Sequence, residues 1–197
     1  MTRKLPVAGS IAAAIVLCVA GVAAQGVSQR PYTKADLSGW TGNPGTLTRM
    51  IQQIEAKTGG RVVEIRYSSR DAMPGFRAAV AKNGSVTFLS AAAEKGDTVE
   101  LAAASVPDWM LKWKARADVT QALRATVPLP DAIRAAEQAS DGAPAVAAGI
   151  ASSASNPTSD VQAYNVLIWR HGEVHRVAVD DKSGQVIADP SALADWP

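Results

Sequence analysis

Cysteine is almost missing from this chain: Cys18 is the only one among 197 residues. A lone thiol forms no internal disulfide and no thiolate metal cluster, so stability must come from packing. Histidine is nearly as scarce, with only His171 and His175. They do not form the helical H-E-x-x-H of a metalloprotease, and no G-x-S-x-G elbow, G-x-x-x-x-G-K-[ST] loop or G-x-G-x-x-G turn occurs anywhere. Serine-hydrolase and nucleotide-binding chemistry are therefore unsupported, and no cofactor is expected. The acidic pair Asp180-Asp181 points to opposite sides if extended and to solvent if turned. Neither arrangement gives the shared, desolvated site that acid–base tuning requires. No Lys/Arg run is present either, so the electrostatic footprint of a nucleic-acid binder is lacking.

What is present begins at the N-terminus. Arg3 and Lys4 precede a stretch from Leu5 to Gln29 without a charged residue. A cationic start followed by an apolar run is the order of a secretory signal peptide. Val22, Ala23 and Ala24 supply small residues for a cut after Ala24, which leaves 197 − 24 = 173 residues, enough for one ordinary domain or two small ones. Ile15, Val16 and Leu17 stand before Cys18 where a lipoprotein signal needs small residues, so the cysteine leaves with the signal. The cut also removes Arg3 and Lys4, and 20 − 2 = 18 basic residues then balance 18 acidic ones. The expected location is periplasmic or secreted. The alternative is an uncleaved anchor, because the uncharged stretch reaches the roughly 20 residues that cross a bilayer; contact with a membrane is expected only in that case.

The remainder matches itself. Leu47, Met50, Ile51 and Ile54 form the i, i+3, i+4, i+7 stripe of an amphipathic helix, bounded by Pro44 and Thr46 before it and Gly59-Gly60 after it. A shift of 82 residues reproduces the stripe as Leu129, Ala132, Ile133 and Ala136. At an offset of 88, Phe76, Ala78 and Val80 running toward Asn83-Gly84 match Tyr164, Val166 and Ile168 running toward His171-Gly172, each a strand entering a tight turn. The change of offset places a six-residue insertion, read as a loop, within Ser152 to Ser159. Val62, Val63 and Ile65 add a strand before the first hairpin, with Val146 and Ile150 as its counterpart. The expected fold is α+β: two tandem small units, each one helix packed on a three-stranded antiparallel sheet, joined by a helical connector. The divisions are a signal peptide (1–24), a linker (25–45), a first unit (46–101), the connector (102–127), a second unit (128–191) and a tail (192–197). Within the connector, Pro107-Asp108 opens a helix carrying Trp109 and Trp113 one turn apart, and Asp118 with Gln121 resembles a capping box for a short following helix.

The second copy resembles a known family. Leu129-Pro130-Asp131-Ala132-Ile133 opening a helix, Tyr164 to Ile168, His171-Gly172, and then Val177 through Ile187 with Asp180-Asp181-Lys182-Ser183-Gly184 are similar to the PepSY domain, a small α+β module of protease propeptides and bacterial envelope proteins. The match covers Leu129 to Asp189. The first copy is a degenerate member, with Ala92, Ala93, Glu94 and Lys95 where Asp180 to Ser183 stand. The resemblance implies a noncatalytic role in protein binding, namely protease inhibition, chaperoning or regulation of an envelope partner, and it supplies no active-site residues. On the residues alone, an Asp of the pair accepts backbone N–H groups across the turn that Gly184 completes.

Two sets of residues are candidates for binding. Tyr164, Val166 and Ile168 face the helix, which turns Leu167 and Trp169 to the other side of the sheet, where they need a cover or a partner. With Trp109 and Trp113 they are the partner-binding candidates, and the partner expected is an unidentified envelope protein. His171, Glu173 and His175, at i, i+2 and i+4, are weak candidates for metal ligands and define the alternative function, a metal-binding periplasmic protein.

Overall fold

The computed structural model describes residues 34–69, 74–92, 99–107, 119–120, 122–150 and 163–187. The expected signal peptide, Trp109, Trp113, the loop at 152–159 and the tail at 192–197 lie outside the described residues.

Both amphipathic stripes form helices. In α1 (Thr46–Thr58), Leu47, Met50, Ile51 and Ile54 are buried. The helix ends at Gly59, whose φ of 63° is the left-handed conformation that glycine adopts without a Cβ clash, and whose N–H bonds Glu55 O. In α2 (Leu129–Ala139), Leu129, Ala132, Ile133 and Ala136 are buried, and Pro130 occupies the first turn, where a missing N–H costs no helical bond. Each helix precedes three strands. After α1 come β1 (Arg61–Ser68), β2 (Gly75–Lys82) and β3 (Ser85–Ala92), followed by β4 (Val99–Pro107); after α2 come β5 (Ala145–Ile150), β6 (Ala163–Arg170) and β7 (Glu173–Asp180).

The hairpins close as their turn residues dictate. Asn83 and Gly84 have φ of 49° and 71°, and His171 and Gly172 have 53° and 83°. Two successive positive-φ residues are the type I′ pattern, whose twist matches that of the flanking strands. Lys82 then pairs with Ser85, and Arg170 with Glu173.

The expectation of two three-stranded sheets requires correction. All seven strands belong to one antiparallel sheet in the order β4-β3-β2-β1-β5-β6-β7. The join is β1 against β5, through Glu64–Gly149, Ile65–Ala148 and Arg66–Ala147. An unpaired inner edge on either set of three would leave a row of N–H and C=O groups bare, and joining the two removes both edges. The connector boundaries are corrected as well: residues 102–107 are strand, not helix, because Val99–Pro107 pairs along the whole of β3. The alanine-rich run has weak intrinsic β preference, and the edge of β3 overrides it. The short helix after Asp118 is present at residues 119–120 and 122–124.

Both helices pack against one face of this sheet and against each other. Ile65, Tyr67, Phe76, Val80, Val146, Tyr164, Val166 and Ile168 are buried beneath them in one apolar cluster that spans the joined sheet. Glu137, buried on α2, fastens the arrangement. Its carboxylate accepts the N–H of Gly45 at 3.0 Å, at the start of α1, and that of Ala145 at 3.0 Å, at the start of β5. Helix α1 has no acidic residue in its first turn and no side-chain cap of its own, so Glu137 supplies both the acceptor and the negative charge that a helix N-terminus favours.

Candidate functional site

Side chains alternate across a strand, so the face away from the helices can be read from the pairing. One row runs Ser90–Arg77–Arg66–Ala147–Leu167–Arg176 from β3 to β7, and the next runs Phe88–Ala79–Glu64–Gly149–Asn165–Ala178. Strand spacing of about 4.8 Å places Arg77 and Arg66 side by side, with Glu64 in the adjacent row. Like charges directly opposite each other are unfavourable, which gives Glu64 a balancing role. Alanines and Gly149 keep the middle of this face low. Asn165 is fully buried there, and neither of its side-chain polar atoms has a hydrogen-bond partner. The Nε atom of Arg66 is likewise buried without one.

The residues expected from the sequence fall differently. Leu167 and Trp169 are on this face, away from α1 and α2 as expected, half-buried and packed against the core rather than bare. Trp109 and Trp113 lie outside the described residues. The candidate metal ligands are not gathered. His171 sits in the type I′ turn, which takes it out of strand alternation, while Glu173 and His175 stand exposed on β7 opposite Arg170 and Ile168. Among the described residues no group of three His, Cys, Asp or Glu side chains is placed to hold a metal ion.

Sequence reasoning passed over Glu64, Arg66, Arg77, Asn165 and Arg176. Glu64 and Arg66 alternate along β1 like an ordinary solvated face, while Arg77, Asn165 and Arg176 each stand between small or apolar residues on their side of the strand. Only the register across six strands places the charged ones in one patch.

The acidic pair separates into two environments. Asp180 Oδ1 accepts the backbone N–H of Ser183 at 2.7 Å, its hydroxyl at 2.7 Å and the N–H of Lys182 at 3.1 Å, and Gly184 closes the turn with φ 72°. These bonds, those of Ser183 foremost, hold the Asp180 carboxyl below the usual range. Asp181 is buried, with Oδ1 unpartnered, and burial first and the neighbouring Asp180 second push its pKa up. Its backbone carbonyl receives the N–H groups of Thr126 and Val127, at 3.1 and 2.9 Å, so this turn anchors the segment that leads into α2. The Tyr164 hydroxyl donates to Val127 O at 2.8 Å beside it, and burial raises the tyrosine pKa against the opposing effect of Arg61.

No family model and no curated protein matches the chain. Among solved structures, a "putative lipoprotein" from Clostridium difficile 630 is similar at 13% identity, with 75% of this chain and 93% of that chain covered and a TM-score of 0.41. No described helix is long and apolar enough to cross a membrane.

Proposed function

We propose that the protein is an exported, non-enzymatic binding or regulatory module of the bacterial envelope, made of two PepSY-like units that share one sheet and acting on a protease or another envelope protein. The tandem reading is supported by the recurring order of helix and three strands, and by paired details at the repeat offsets. The type I′ turns at Asn83-Gly84 and His171-Gly172 are 172 − 84 = 88 residues apart. Glu55 and Glu137, 137 − 55 = 82 apart, each accept a backbone N–H from the strand that follows their helix, those of Val62 and Ala145. The export reading rests on the signal-like N-terminus.

The observation that carries a binding role is the sheet face away from α1 and α2, where Leu167 stands in one row with Arg66, Arg77 and Arg176 and Trp169 lies beside it. An apolar patch bordered by excess positive charge suits an acidic protein surface, since charge complementarity sets partner choice and encounter rate. The test is site-specific photo-crosslinking in cells, with the reactive residue at position 169 or, as a control, at the exposed helix position 138. One envelope protein captured from position 169 only, and lost in Arg176→Glu, is the expected result. Equal labelling at both positions, or labelling indifferent to the charge reversal, would sink the reading.

A further inference from the structure

A cleft of about 480 Å³ opens at the other side of the molecule, between residues 39–43, the first turns of α1 and the adjoining ends of β1 and β2. That volume falls in the range of roughly 300–1,000 Å³ typical of small-ligand sites. Its apolar wall is the half-buried Trp40, backed by the buried rings of Tyr67 and Phe76. The Trp40 ring lies 4.8 Å from Tyr67 and 5.9 Å from Phe76, and Tyr67 lies 5.7 Å from Phe76, with Met50 alongside. Gly42 lets the indole close over the backbone, because a Cβ there would fall 2.2 Å from the Trp40 ring. Arg49 is the one charged residue of the lining. It donates to Thr46 Oγ1 at 3.2 Å and has no carboxylate partner among the described residues.

We propose that this cleft binds a carboxylate carried on an aromatic group, with the ring against Trp40 and the carboxylate on Arg49. The chemistry is that of a phenylalanine-like chain terminus or of a free aromatic acid. An aromatic wall prefers edge and offset contacts with a second ring. A guanidinium with a planar donor fork matches a carboxylate and discriminates against its neutral amide. This site is separate from the sheet face, uses none of its residues, and stands or falls independently of the envelope-partner reading.

The test is calorimetric titration of the purified protein with N-acetylphenylalanine, its amide, the peptide Ala-Ala-Phe and phenylacetate, with indole ¹⁵N resonances followed in parallel. The expected result is that N-acetylphenylalanine binds and moves the Trp40 indole resonance but not that of Trp169. The amide, and the acid on Arg49→Gln, should each bind at least fivefold more weakly, while Arg170→Gln on the opposite unit leaves affinity unchanged. Tighter binding of Ala-Ala-Phe than of phenylacetate assigns the site to chain termini, and the reverse assigns it to free acids. Both outcomes uphold the proposal. Absence of binding by all four probes, equal affinity for acid and amide, or an Arg49→Gln variant that binds like wild type while its circular dichroism is unchanged would overturn it.

Discussion

Adjacent aspartates, identical in chemistry, are given opposite titration behaviour by their surroundings. Asp180 is held ionised by the Ser183 N–H and hydroxyl, so its folded pKa lies below the unfolded value of about 3.9. Its contribution to stability is present above that value and is lost as pH falls through the folded pKa. Asp181 is buried, with a folded pKa above the unfolded one. The folded state then holds the proton more tightly, and stability falls as pH rises from about 3.9 through the folded pKa. Urea unfolding at pH 3 and pH 7 should therefore separate the two. Asp180→Asn should lose stability relative to wild type at pH 7 and lose less at pH 3, and Asp181→Asn should gain at pH 7 relative to its own difference at pH 3. Parallel pH trends for the two variants would contradict the assignment. Glu137 makes a third case at this scale. Replacing it by Ala orphans the N–H groups of Gly45 and Ala145, at a cost of about 2–4 kcal/mol, whereas Glu55→Ala frees only the N–H of Val62 and should cost about 1–2 kcal/mol in chemical denaturation.

Among the elements, what could be read from the chain was what local chemistry decides. Both helices, both hairpin turns and the strands before them follow from stripes, alternation and Gly-containing turns, each a property of a short segment. The Asp180 turn was legible for the same reason. β4 was not, because Val99–Pro107 owes its form to the edge of β3 rather than to its own alanine-rich composition. The candidate site was half legible. Leu167 and Trp169 stand out as apolar residues on a polar-facing side, but Glu64, Arg66 and Asn165 become one patch only through the β1–β5 join, and no local pattern encodes that pairing. The turns give a direct check on the local reading. Gly84→Ala and Gly172→Ala place a Cβ at φ of 71° and 83°, and each should destabilise by about 1–2 kcal/mol in urea denaturation. His171→Asn at φ 53° should instead raise stability, since Asn accepts the left-handed conformation more readily. A His171→Asn variant less stable than wild type would mean that the imidazole makes a contact more important than turn geometry.

For the whole molecule the question is whether the two halves of the sheet, each with its helix, behave as two bodies or one. The backbone join is short, three residue pairs between β1 and β5. Other ties cross the same boundary. Glu137 on α2 holds Gly45 at α1, and the Arg61 guanidinium on β1 donates to the carbonyls of Leu123 and Ala125 at 3.3 and 3.4 Å. One apolar cluster runs beneath both helices, with Ile65 and Ala148 paired at its centre and each fully buried. Neither unit can leave without exposing that centre and a bare strand edge, so unfolding should be a single cooperative transition. With fluorinated tryptophan, the native resonances of Trp40, packed on β1 and β2 of the first half, and Trp169 in the second should vanish at the same urea concentration. Ala148→Asp buries an unpaired carboxylate at the join and should lower both midpoints together, by a stability loss of about 3 kcal/mol or more. If Trp169 survives beyond Trp40, or Ala148→Asp shifts only one of them, each unit is stable alone and the shared sheet is a docking of two domains rather than one fold.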